Sequence, residues 1–117
     1  MDPRTTLVAY FEYIDSGETI EALKQFAPDA IYERPGYDAL IGLDAISDFY
    51  HEVRVVKEGA HTVEDIAIDG LVGAAWGSFE GTHIDGTDIS LWWCDAYRFS
   101  SDNRIAFRRS HFYLPGA

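Results

Sequence analysis

The spacing of apolar residues along the chain changes character once, near residue 61. Before that point apolar side chains recur at helical intervals; after it they alternate with polar ones, as in strands. Residues 5–16 place Leu7, Tyr10, Phe11 and Ile14 on one stripe, which predicts an amphipathic helix ended by Gly17. Thr19 is a candidate cap for a second helix carrying Ile20, Leu23 and Phe26 and stopping before Pro28. Residues 30–33 read as a short strand broken at Pro35-Gly36. Asp44 is placed to cap a third helix, with Ile46, Phe49, Tyr50 and Val53 facing inward. Strands are predicted over residues 62–68, 71–81, 88–100 and 104–114, separated by Asp69-Gly70, Asp85-Gly86 and Ser101-Asp102-Asn103. The two Asp-Gly pairs are strong signals for tight hairpins. Helices followed by an antiparallel meander predict an α+β fold: three N-terminal helices packed with a curved, cone-shaped antiparallel sheet.

Alternation within residues 88–100 puts Ile89, Leu91, Trp93, Asp95, Tyr97 and Phe99 on one face. A carboxylate therefore stands in the middle of an apolar row. Burying it requires hydrogen-bond donors or a proton, and carboxyl groups in such settings serve proton-transfer chemistry. The other face carries Trp92, Cys94 and Ala96, which Trp76 and Phe112 are expected to join. A solvated sheet face should be polar, so this one predicts a cover, and a second copy of the chain is the simplest one.

Composition narrows the partners. The chain has 117 residues, enough for one domain, and 15% of them are aromatic. Twenty acidic against 9 basic residues give a net charge of -11, which argues against nucleic acid and anionic membrane surfaces. Cys94 is the only cysteine, so a reducing, cytoplasmic setting is expected. The start Met1-Asp2-Pro3-Arg4 has no apolar signal region, and no apolar run reaches membrane-spanning length.

Several strings, in order, carry a resemblance. They are residues 10–18 (YFEYIDSGE), Phe26-Ala27-Pro28-Asp29-Ala30 with Tyr32-Glu33-Arg34-Pro35-Gly36, the stretch from Gly42 to Tyr50, and Asp95-Ala96-Tyr97-Arg98-Phe99 with Arg104-Ile105. Together they resemble the nuclear-transport-factor-2-like superfamily, in the branch of ketosteroid isomerases, SnoaL-like polyketide cyclases and limonene epoxide hydrolases. The likeness covers nearly all of residues 1–117, as one SnoaL-like domain. In ketosteroid isomerases a first-helix tyrosine and a protonated aspartate form an oxyanion hole. The resemblance assigns these to Tyr10 and Asp95, with Tyr50 in support. The isomerase's general base falls at Arg34, which cannot be a base. The resemblance to SnoaL-like cyclases instead makes Asp95 the proton-transferring acid. The epoxide hydrolases use an arginine and two acids; Ser110 stands at one acid's place here, leaving Glu33 as the candidate second acid.

These readings converge on an apolar pocket for a hydrophobic, oxygenated small molecule such as a polyketide or steroid. Asp95 and Tyr10 are the expected catalytic pair. Tyr50, Arg34, Trp93, His111, His61 and Glu33 are the expected substrate-binding residues. Arg34 is either an anchor for a substrate carbonyl or carboxylate, or a surface residue pairing with Glu33 or Asp38. His111 is expected on a face with Ile105, Phe107, Arg109 and Tyr113, bordering the site, and His61 at the pocket mouth, while His83 reads as solvated. No histidine pair has helical metal-site spacing and no phosphate loop or dinucleotide fingerprint occurs, so neither metal nor cofactor is expected. The expected activity is cofactor-free proton transfer beside a carbonyl: isomerisation, cyclisation or dehydration. A non-catalytic binding or assembly module and an epoxide hydrolase are the alternatives.

Overall fold

A computed structural model describes residues 2–53 and 56–113. Helix α1 spans Pro3–Asp15, and the Asp2 side chain caps it by accepting from the Thr5 N–H at 2.8 Å. Proline at the first helical position fits because its missing N–H has no partner there anyway. The expected stripe of Leu7, Tyr10, Phe11 and Ile14 is buried. Gly17, with φ of 80°, follows the helix in the left-handed region. The short α2, Thr19–Leu23, has Glu18 rather than Thr19 at its cap position, with no side-chain bond. It ends earlier than expected because β1, Phe26–Glu33, already begins at Phe26 and runs through Pro28. A two-residue strand β2, Leu40–Ile41, pairs with β1 and was not anticipated.

Helix α3 spans Leu43–Asp48, with Gly42 at the cap position and Asp44 in the first turn. It continues into a π-helical turn, Phe49–Val53, which carries Tyr50. The expected orientation of the Val53 side chain and the end of the last strand at Leu114 lie outside the described residues. Four long strands follow: β3 Val56–Asp69, β4 Val72–His83, β5 Asp88–Phe99 and β6 Ile105–Tyr113. The first Asp-Gly signal is used one position late: Asp69 pairs with Val72, leaving Gly70 and Leu71 as the loop. At the second, the Asp85 carboxylate accepts from the Thr87 N–H and hydroxyl, which closes a four-residue loop.

The six strands form one open sheet in the order β2-β1-β6-β5-β4-β3. It is antiparallel except that β1 and β6 run parallel. That placement brings β1 next to β6, so residues from the helical half and from the last strand face one space. Fully buried Leu7, Phe26, Ile46, Ala75 and Ile105 pack between helices and sheet.

One irregularity decides what β6 presents. Phe99 pairs with Ile105, yet the next pair is Arg98 with Phe107, so β6 carries an extra residue at Ala106. Such a bulge reverses the phase of alternation beyond it. Ile105 is inward, and so are Arg108, Ser110 and Phe112; Arg109, His111 and Tyr113 face out. Two expectations fall with this. Phe112 does not join the outer face, and His111 does not share a face with Ile105.

Candidate active site

Asp95 is 1% exposed and stands inward beside Trp93 and Tyr97, as the alternation of β5 requires. Its Oδ2 accepts three bonds: from the Tyr97 hydroxyl at 2.8 Å, from Arg108 Nη2 at 2.9 Å and from Arg108 Nε at 3.1 Å. A buried carboxylate without a cation is costly, and the guanidinium supplies both charge and two donors. Burial, reinforced by the Asp95 charge, raises the Tyr97 phenol well above its ordinary value, so it stays a donor. For Arg108, burial opposes the charge, but Asp95 together with Tyr10, Tyr32 and Tyr97 outweighs it, and the guanidinium holds its proton more tightly than usual.

Arg108 is the hub of this cluster. Its guanidinium lies 4.7 Å from the centres of both the Tyr10 and Tyr32 rings. Nη1 donates to the Tyr50 hydroxyl at 3.3 Å, and that hydroxyl shares a short hydrogen bond with Tyr10. Tyr10 and Tyr50, which the resemblance groups with Asp95, are thus linked to it through Arg108. Tyr32 Oη stands 3.1 Å from Ser110 Oγ and accepts from Arg34 Nη1 at 3.0 Å. Burial raises its pKa, but Arg108 and Arg34 together outweigh that, leaving the Tyr32 phenol more acidic than usual.

The second cluster joins α1 to β3. Asp15, at the last turn of α1, holds His61 by two bonds: Oδ2 accepts from the His61 backbone N–H at 2.8 Å, and Oδ1 lies 2.6 Å from Nδ1. An ionised carboxylate only accepts, so Nδ1 carries the proton and Nε2 is the nitrogen left for other work. The ring is wedged between Phe11, Phe79 and Trp93, with centres 5.0, 4.7 and 5.7 Å away. The Trp93 indole is fixed by donating to the Ser78 carbonyl at 3.0 Å.

Both clusters open on one cavity of about 190 Å³. Arg34, His61, Asp95, Arg108 and Ser110 line it together, against apolar walls that include Phe79, Leu91, Trp93 and Phe112. At about 30 Å³ per water that is space for roughly six waters. His83 also lines the cavity, although the sequence reads as leaving it in solvent. Tyr10 and Tyr50 stand behind Arg108 and are not among the lining residues. Glu33 turns the other way, accepting from Arg109 Nε at 2.7 Å outside the cavity. His111 is exposed on the outer face of β6. The arrangement brings an imidazole ring, an ion pair and a second guanidinium to the wall of one cavity. Asp15 and Arg108 were missed as site residues. A buried Asp95 needs hydrogen-bond donors or a proton, and the arginines of the next predicted strand are the nearest strong donors the sequence offers.

The SnoaL-like domain family matches residues 7–108. The chain belongs to that family. Among solved structures, this SnoaL-like chain is similar to an NTF2-like protein of unknown function from Burkholderia pseudomallei, with a TM-score of 0.87 at 18% identity, covering 97% of this chain and 92% of that one. It is similar to SalBIII, an epoxide hydrolase/cyclase-like enzyme with a role in pyran ring formation in salinomycin, with a TM-score of 0.82, 18% identity and coverage of 96% and 91%. A putative polyketide cyclase from Pseudomonas putida gives 0.81 at 17% identity, covering 97% and 93%. At such identities the likeness establishes the nuclear-transport-factor-2-like fold. No curated protein matches the chain in sequence. No helix among the described residues is long and apolar enough to cross a membrane.

Proposed function

We propose that this SnoaL-like chain is a small-molecule enzyme that moves a proton beside a carbonyl, as in isomerisation, cyclisation or dehydration. The observation that carries the reading is the Asp15–His61 pair opening on the same cavity as the Asp95–Arg108 pair. His61 is the base, because its ring lines the cavity and Asp15 holds Nδ1, leaving Nε2 as the nitrogen that can take a proton. The Arg108 guanidinium, held by Asp95 and Tyr97, is the fixed positive group toward which a developing oxyanion turns. This revises the sequence expectation: Asp95 orients and neutralises Arg108, and Tyr10 holds Tyr50 and the guanidinium plane from behind. The walls suit an apolar, oxygenated ring compound, and similar folds bear the names of cyclases and an epoxide hydrolase. Epoxide hydrolysis itself finds less support, because Glu33, the expected second acid, is paired with Arg109 outside the cavity. The same reading places two copies of the chain face to face through the outer side of the sheet, in a reducing, cytoplasmic setting that suits the lone Cys94.

The experiment begins with a melting-shift screen over ketosteroids, polyketide-like phenols and epoxides. For a ketone ligand so found, exchange of the hydrogens beside its carbonyl is followed by NMR in heavy water. His61→Gln should slow that exchange by about 10²–10⁴-fold. Asp15→Asn should slow it less and move its pH profile, since the imidazole remains but is no longer oriented. Full exchange in a folded His61→Gln protein sinks the assignment.

A further inference from the structure

Three of the charged or chargeable side chains lining the cavity have their counter-charge accounted for, or stand in for one. Arg108 is matched by Asp95 at 2.9 Å, and His61 by Asp15 at 2.6 Å. Arg34 is different. It lines the same cavity, yet no carboxylate lies within ion-pairing distance of it among the described residues. Its neighbour Glu33 points away and holds Arg109. The polar contact of Arg34 is one N–H to the Tyr32 phenol, and its guanidinium is held over the Phe49 and Phe112 rings at 5.6 and 5.3 Å. The other fallback of the sequence reading, a surface arginine pairing with Asp38, is not what the structure shows.

This is unusual in a chain with 20 acidic and 9 basic residues, where a counter-charge is easily found. Arg34 is half-buried, and a guanidinium partly withdrawn from water loses hydration that one phenol does not fully replace. It has five donors in a rigid fork, shaped to take two oxygens of one planar anion. Two aromatic rings hold that fork against a cavity that presents Phe79, Leu91 and Trp93 beside the paired groups Asp95–Arg108 and His61. The geometry points to a missing oxyanion, and we propose that Arg34 is the docking site for a carboxylate carried by the substrate. The substrate is then a compact apolar acid: a ring or conjugated body against Phe79, Leu91 and Trp93, with its carboxylate on Arg34. The volume of about 190 Å³ suits one or two rings rather than a four-ring steroid. The overall charge of -11 opposes an approaching anion, but that repulsion acts through screening solvent, whereas the contact with Arg34 is made in a partly dry cavity.

This inference rests on the cavity being the substrate site, and it is tested by binding without turnover. Cinnamate and cinnamamide have the same shape and differ in charge. Calorimetric titration at pH 7 should show the carboxylate binding at least ~tenfold more tightly than the amide. Arg34→Gln should reduce that preference to about twofold or less while leaving amide binding little changed. His61→Gln should keep the preference, so a failure of the proposed base leaves this result standing. Equal affinities, tighter binding of the amide, or binding of neither compound to the unaltered protein overturns the proposal. So does a full carboxylate preference in folded Arg34→Gln, which would move the anion to Arg108.

Discussion

At the scale of single residues, the decisive partnership is Asp95 with Arg108. Removing one member of a buried pair leaves the other charge without a partner, which costs about 3–5 kcal/mol. Arg108→Met should therefore lower stability by that order in chemical denaturation. Adding Asp95→Asn to the same protein should recover much of the loss. A single variant as stable as the parent would show that the pair is not desolvated in solution. The sequence makes Asp95 legible, because a carboxylate in an aromatic strand can be seen by counting in twos. It hides Arg108, because the same counting, carried through β6 without interruption, sends Arg108 outward and Arg109 inward. Asp15 is hidden for another reason. It closes an amphipathic helix, where an acid reads as solvated, and only the approach of β3 brings His61 within 2.6 Å of it. Contacts between residues 46 positions apart are set by the path of the chain, not by local spacing.

At the scale of elements, helix α1 and the long strands follow from periodicity, since each has enough residues for the pattern to repeat. The short pieces are less legible. The spacing of Ile20 and Leu23 shows that α2 exists but not that it stops at Leu23, and the two residues of β2 are too few for any repeat to register. Irregularities within the long strands escape notice for the same reason. Strands β3 and β4 change register between Val63 and Asp65, and Gly77 sits opposite. A Cβ on Gly77 would stand 1.8 Å from the Thr62 carbonyl oxygen, so the two backbones approach more closely than any side chain permits. Gly77→Ala should destabilise the protein by about 1–3 kcal/mol, seen as a lower Tm. Because β3 carries His61, the same change should also weaken ligand binding. An unshifted Tm would mean that the strands separate there at no cost.

At the scale of the whole molecule, the sheet has two unlike sides. The inner one closes the cavity; the outer one shows Trp92 at 54% and Tyr113 at 74% exposure, paired across β5 and β6. Exposed aromatics of this kind, beside Arg109 and His111, mark a candidate interface, and a stable one buries about 800 Å² on each partner. Light scattering should give twice the chain mass of 13.2 kDa at micromolar concentration, and Trp92→Asp with Tyr113→Asp should halve it. A monomeric parent protein would count against pairing through this face. Alternation along β5 points to that face through Trp92 and Cys94, but uninterrupted counting along β6 sends Phe112 to it as well, again because of the extra residue at Ala106. That residue behaves like a reading frame. With it in place, β6 spells arginine, serine and phenylalanine into the cavity; without it, the same letters spell arginine, histidine and tyrosine. A lineage of such chains can thus exchange the whole chemical vocabulary of one wall through a single insertion or deletion, without altering any side chain, and an alignment that counts only substitutions would pass over the event.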